Sequence, residues 1–316
     1  MGLLLCFVLL GAASVQIGRM PSGEGATMLS AWAEGRKAAF SVWLGSLEPE
    51  GDELAVLRAL AIGDKAGLTR DLRAAYRASG ATHLLALSGL HVGLVYALLA
   101  WLLRPLGGHR AARLLRSAVM LLSLWTYALV TGLSASISRA VLMITFYEIS
   151  GHLSGDRDGL SALAGSALLL MLFRPEAPRD IGFQLSYIAV LSILLFYPWL
   201  SSRLQARSRL LRKVWELLSV SLCCQATCGV LAWFYFGTFP RYFLLTTLMA
   251  IPLTTAVMYA IAAAAGSAGL TSLAAHLFPS ADTVLSIFSS ISTAATHLLT
   301  WLLHLLNDLI RLIASL

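Results

Sequence analysis

The chain has 316 residues, 58% of them hydrophobic and 12% charged, with a formal net charge of +7. A soluble domain carries about 25% charged residues, so one globular core cannot hide this apolar surface, and lipid is the expected solvent. No stretch alternates with period two as an outer-membrane barrel strand does, whereas several apolar runs reach the roughly 20 residues a helix needs to cross about 30 Å.

The expected fold class is therefore all-α: a polytopic transmembrane helical bundle of eight to nine spans plus extracytoplasmic amphipathic helices. The positive charge is read first as loop charge that sets topology, because Lys and Arg gather in cytoplasmic loops, and only second as a sign of an anionic partner.

Within residues 1–17, Leu3 to Ile17 is apolar for about four turns and follows only Met1 and Gly2, with no basic leader. They are expected to form an N-terminal transmembrane helix, a signal-like anchor or a truncated first span. Residues 18–82 are mixed, with Arg36, Lys37, Arg58, Lys65, Arg70, Arg73 and Arg77 among Trp32, Trp43 and Leu/Ala positions every three to four residues. This pattern predicts an extracytoplasmic segment of amphipathic helices on the membrane surface.

Residues 83–316 form the third expected part, a membrane domain with apolar spans near 84–103, 114–133, 137–151, 160–173, 181–200, 214–236, 243–265 and 283–314. If the loops alternate sides, one side collects Arg104, Arg110, Arg113, Arg116, Arg157, Arg203, Arg207, Arg209, Arg212 and Lys213, and the other only Arg174, Arg179 and Arg241. The positive-inside rule puts the first set in the cytoplasm and residues 18–82 outside. Cys6, Cys223, Cys224 and Cys228 lie in apolar stretches and read as small apolar residues.

Polar residues in spans are costly and mark a pathway or a buried partner. The first such set is His83-Leu-Leu-Ala-Leu-Ser88-Gly89-Leu-His91-Val-Gly93. Gly89 and Gly93 form a GxxxG pattern that admits a second helix, and Ser88-Gly89 equally reads as a break that exposes backbone to an aqueous path. His83 and His91 would be separated by about 12 Å of rise on an intact helix, too far to share a metal ion.

The second set is Thr131-Gly-Leu-Ser-Ala-Ser-Ile-Ser138-Arg139, where Arg139 either snorkels to the interface or faces a polar cavity as a phosphate contact. Farther along the same span Glu148 is the one acidic residue well inside a span. The third set is Asp180-Ile-Gly182-Phe-Gln184-Leu-Ser186, with Asp180 and Gln184 on one helical face and Gly182 and Ser186 as a small-residue pair, or Asp180 as a helix cap. On the last span His297, Trp301, His304 and Asp308 make a stripe, read as bundle-facing or interfacial. P-loop, HExxH, GxSxG and HxHxDH patterns are not found, so no catalytic residue, metal or cofactor is expected.

These motifs, with Ala61-Ile-Gly-Asp64 before them and Phe236-Gly-Thr-Phe-Pro240 and Ala250-Ile-Pro252 after them, resemble the membrane competence domain of the ComEC family of DNA-uptake proteins. The resemblance covers about residues 55–265. It implies a channel for import of single-stranded DNA across the bacterial cytoplasmic (inner) membrane during natural transformation, the other strand being degraded outside.

On this resemblance His83, Ser88, Gly89, His91, Gly93, Ser138, Arg139, Gly182, Gln184 and Ser186 are motif positions, and Asp180 joins them as a pore candidate. Arg70, Arg73 and Arg77 would gather the strand at the mouth. The implied partners are single-stranded DNA, membrane lipid, a DNA receptor, a cytoplasmic motor or helicase, and a separate nuclease. Full-length relatives commonly carry an OB-like domain and a metallo-β-lactamase-like domain, and neither is recognised here. Thr247 stands where the family is expected to have Asn. The competing readings are a solute transporter, which should show half-repeats and intramembrane carboxylates, and a non-transporting scaffold of the uptake machinery.

Overall fold

In a computed structural model of the chain, residues 24–153, 155–204, 208–237, 243–277 and 282–315 are described, and every regular element among them is helical. The expected N-terminal helix at 1–17, Arg207, Arg241 and the end of the Phe236–Pro240 motif lie outside the described residues. In chain order the helices are α1 Glu24–Gly45, α2 Gly51–Ile62, α3 Arg70–Ala78, α4 Gly89–Leu102, α5 Arg110–Val130 and α6 Ala135–Leu153. They continue with α7 Gly159–Phe173, α8 Ile181–Ser201, α9 Arg209–Cys224, α10 Val230–Phe236, α11 Phe243–Leu277 and α12 Asp282–Ala314.

Among the described residues, five helical stretches are long and apolar enough to cross a membrane: Arg110–Val130, Ile181–Ser201, Arg209–Tyr235, Leu244–Leu277 and Leu285–Ala314. The chain is a helical membrane protein. The eight to nine spans expected from the apolar runs include three of another kind. α4 begins at Gly89, not near residue 84, and with 14 residues rises only about 21 Å. α7 has 15 residues, and α6 is long enough but carries Arg139 and Glu148 within it.

The helices group into two compact units, Met1–Lys37 with Ser88–Leu244, and Ala38–Leu87 with Leu245–Leu316. In the second unit α2 is enclosed along Ala55, Val56, Leu57, Ala59, Leu60, Ala61 and Ile62. Such a helix is a core element, since a surface helix keeps one polar face. It packs with α3 against α12, whose buried stripe of Leu299, Leu302, Leu303, Leu306, Ile310 and Ile313 follows the helical repeat. In a helix that crosses a membrane such a stripe is held by close packing against its neighbours, since lipid is as apolar as leucine.

The stripe of His297, Trp301, His304 and Asp308 is exposed along α12. Within it His304 Nδ1 lies 3.0 Å from Glu53 Oε1, and beyond it Arg311 pairs with Asp52. Deeper in the same face, the Tyr76 hydroxyl donates to Asn307 Oδ1 at 3.2 Å. Burial pushes the Tyr76 phenol up, so it remains a donor.

α3 starts at Thr69, whose hydroxyl oxygen accepts from the Leu72 N–H at 3.3 Å and donates to Asp52 at 3.2 Å. Thr69→Ala removes the cap and is expected to cost about 1 kcal/mol. The thermal midpoint of the purified protein should fall, and Thr69→Ser should restore most of it. An unchanged midpoint for Thr69→Ala would show that the cap contributes nothing.

In the first unit small residues let helices approach. A Cβ on Gly165 of α7 would stand 2.6 Å from Cδ1 of the Phe146 ring on α6, and one on Gly159 would stand 2.7 Å from Leu194 Cδ2 on α8. The apolar run expected at 214–236 is one helical path interrupted by a π-turn at Gln225–Gly229. The Gln225 side chain lies against Gly229, where no Cβ intervenes. Around the same turn the Cys223 carbonyl accepts from Ser192 at 2.7 Å and from Thr227 at 3.2 Å, as a backbone freed inside an apolar bundle requires.

Candidate functional site

The first motif divides at Ser88. Its extended backbone (φ −126°, ψ 171°) starts α4, and its N–H donates to Nδ1 of His91 at 3.3 Å, the reciprocal half of a capping box. A backbone N–H can only donate, so Nδ1 accepts and the imidazole proton sits on Nε2. That Nε2 is buried and has no hydrogen-bond partner among the described residues, in a side chain with no solvent exposure. A buried donor left unpaired costs about 1–3 kcal/mol, so His91 is a specialised position.

His83 belongs to the 3-10 turn Ala81–His83 and is exposed, with Nδ1 donating to the Gly80 carbonyl at 3.0 Å. The break read at Ser88-Gly89 is thus present, and the two histidines do not share a helix. The GxxxG pair separates likewise: a Cβ on Gly89 would be 3.5 Å from Ala140 of α6, but one on Gly93 would meet nothing within 4 Å.

The second and third motifs converge. The turn from α5 to α6 runs through Gly132 (φ 80°) and Leu133 (φ 49°), and Ser138 donates to the Leu133 carbonyl at 3.2 Å. One residue on, Arg139 reaches α8. Its Nη2 and Nε donate to Ser186 Oγ at 3.0 and 3.3 Å, and its Nη1 lies 3.6 Å from Asp180 Oδ2.

Asp180 caps α8 by accepting from the Gly182 N–H at 3.1 Å. A Cβ on Gly182 would stand 3.3 Å from Arg139 Nη2, so Gly182 leaves the guanidinium its place. Gln184 donates to the Pro178 carbonyl at 2.8 Å and accepts from Tyr235 at 2.9 Å. The Arg139 side chain, read from the sequence as snorkelling or cavity-facing, is only 10% exposed, but that of its partner Asp180 is 58% exposed. One side of the ion pair is therefore open to exchange.

A second polar cluster lies farther along α6, about 13 Å of rise from Arg139. Glu148 is fully buried and accepts from Tyr96 of α4 and Ser117 of α5, both at 2.5 Å, and from Arg157 at 2.8 Å. His152 lies 2.9 Å from Ser117 Oγ. Only Glu148 drew attention in the sequence. Tyr96 and Ser117 are ordinary in their own helices, and Arg157 looked like a loop charge, so their meeting is a tertiary fact.

Of the other expected residues, Arg70, Arg73 and Arg77 lie on α3 and are exposed, with Arg73 donating to the Lys65 carbonyl at 2.6 Å. The Thr247 hydroxyl is buried without a partner among the described residues. No three His, Cys, Asp or Glu side chains gather as a metal-binding group among the described residues.

The model of a family described as "Competence protein" matches residues 60–314. The chain belongs to this competence protein family. Among curated relatives, it is 34% identical over 144 residues to ComE operon protein 3 of Bacillus subtilis (strain 168), a match covering 46% of this chain and 18% of that protein. It is 32% identical over 151 residues to Competence protein ComA of Neisseria gonorrhoeae, covering 45% of this chain and 21% of that one. The matched region is thus about a fifth of the length of either relative. No solved structure matches the chain. The three motifs and both polar clusters lie within the matched residues.

Proposed function

We propose that this competence protein forms the helical part of a channel that carries single-stranded DNA inward across the bacterial cytoplasmic membrane. The observation that carries this reading is Arg139, a cation held inside an apolar bundle at the junction of two family motifs, with an exposed carboxylate as its partner. A permanent charge there is expensive unless it serves a path. A passing phosphodiester exchanges for Asp180 on the guanidinium, while Ser186 keeps the side chain in place, and charge-assisted contacts of this kind are the strong ones.

In the same reading the exposed arginines of α3, Arg70, Arg73 and Arg77, gather the strand on the outer side, and that step weakens steeply with salt because phosphate contacts release counterions. In this reading the channel works with a DNA receptor, a cytoplasmic motor or helicase, and a nuclease that removes the second strand.

Arg139→Ala, at unchanged protein level, is expected to reduce entry of labelled DNA into the cytoplasm by at least about tenfold, with DNA still bound at the cell surface. Arg139→Lys keeps the charge and loses the fork that engages both Ser186 and Asp180, so it should recover only part of the uptake. Uptake at the wild-type rate in Arg139→Ala would overturn the assignment.

A further inference from the structure

The cluster around Glu148 borders a cavity of about 270 Å³ lined by Arg113, Arg116, Glu148, His152, Asp156 and Arg157, together with two glycines. We propose that this cavity is a binding site for the phosphate of an anionic phospholipid headgroup. The site lies apart from Arg139, and the inference does not depend on the DNA-channel reading.

Its charge is arranged for an anion. Three arginines face two carboxylates, and Glu148 is already occupied by Tyr96, Ser117 and Arg157. Arg116 is the telling residue. Its Nε is buried with no hydrogen-bond partner among the described residues, and it borders the cavity. Arg113, one helical turn earlier, is exposed. A buried guanidinium N–H left unpaired is costly, and an anion in the cavity is what would satisfy it. Arg157 is held in place because Gly151 lacks a Cβ, which would stand 2.6 Å from Arg157 Cγ.

The surroundings favour lipid over nucleic acid. Arg113 and Arg116 lie in the first two turns of α5, a helix long and apolar enough to cross a membrane. This is the level at which hydrocarbon gives way to headgroups. Leu114 and Leu115, between the two arginines, are 47% and 52% exposed, and Leu153, at the end of α6, is 68% exposed. These are apolar surfaces for acyl chains beside a basic pocket, the combination by which helical proteins hold anionic headgroups. The cavity is smaller than the roughly 300–1,000 Å³ of sites enclosing drug-sized ligands. Its lining holds no Trp, Tyr or Phe, although single-stranded nucleic acid is usually held by stacking on aromatic side chains. The positive-inside rule assigns this end of the bundle to the cytoplasmic leaflet, where anionic lipids are recognised by basic residues.

The full chain, purified and placed in phosphatidylcholine nanodiscs doped with phosphatidylglycerol, tests this by mass spectrometry of the intact protein with its retained lipid. Phosphatidylglycerol is expected to be retained in preference to phosphatidylcholine. The double variant Arg113→Gln, Arg116→Gln should weaken retention about 30-fold, and Arg113→Gln alone about 5-fold. Arg212→Gln, an exposed arginine of α9 paired with Glu216, should leave it unchanged. The single variant keeps the test informative if the double variant does not fold. Equal retention of the two lipids, or undiminished phosphatidylglycerol in both variants, overturns the proposal. So does displacement of the lipid by millimolar inorganic phosphate, which would mark a free-phosphate site, or by a short single-stranded oligonucleotide, which would mark a nucleic-acid site.

Discussion

Arg157→Ala is expected to lower the stability of the folded chain by about 3–5 kcal/mol, the usual cost of breaking a buried ion pair from one side. The asymmetry of the pair decides the size. The Glu148 side chain is 0% exposed and that of Arg157 is 35% exposed, so removing the arginine strands the buried carboxylate with only the Tyr96 and Ser117 hydroxyls. Removing the carboxylate leaves a cation that can turn to water. Glu148→Gln should therefore cost clearly less than Arg157→Ala, because the amide oxygen still accepts from a hydroxyl and no buried charge remains.

The double variant Glu148→Gln, Arg157→Ala should be more stable than Arg157→Ala alone, a non-additivity characteristic of residues in direct contact. Unfolding of the detergent-solubilised protein, followed by tryptophan fluorescence, measures all three. A double variant no more stable than Arg157→Ala would show that the pair is not what holds α4, α5 and α6 at this point.

Gly63→Val is expected to cost about 2–5 kcal/mol, the second large effect, from two independent causes. Gly63 ends α2 in the left-handed region at φ 71°, with its N–H bonded to the Ala59 carbonyl and the Asp64 N–H to the Arg58 carbonyl. This conformation costs an L side chain about 1–2 kcal/mol and suits a β-branched one least. A Cβ would also stand 2.6 Å from Leu87 Cδ1 and 2.9 Å from Leu87 Cγ, adding an overpacking cost of about 1–3 kcal/mol. The pair Gly63→Val, Leu87→Ala relieves the second cause and not the first, so it should recover only part of the loss. Full recovery, or no loss in Gly63→Val, would show that the backbone conformation at this turn is not a constraint.

Gly63 also shows how much of the molecule was legible in advance. Ala61-Ile-Gly-Asp64 was noticed as a motif, but the left-handed φ and the approach of Leu87 are visible only once α2 is folded. Two later helices match the sequence reading to within a residue, 181–200 as Ile181–Ser201 and 160–173 as Gly159–Phe173, whereas the run expected at 243–265 continues as helix to Leu277. Long apolar runs have few alternatives to helix when lipid is the solvent. Residues 51–62 were less legible, because a core helix buried on nearly all sides shows no amphipathic stripe, and the arginines nearby suggested a surface helix. The start of α4 was missed by five residues because the apolar run continues through Leu84–Leu87, while the break is made by the pairing of Ser88 with His91.

Composition and apolar run length determined by themselves that this chain is a helical membrane protein, and the three motifs pointed to its family, since both rest on local chemistry readable residue by residue. The tertiary structure alone decided which polar groups meet. Arg139 with Asp180 and Ser186, Glu148 with Tyr96, Ser117 and Arg157, and Tyr76 with Asn307 are separated by 9 to 231 positions along the chain. In an apolar bundle each costly polar group has to find its partner across helices. The registers that allow this are set by packing at positions such as Gly165 and Gly182, and sequence spacing does not encode them.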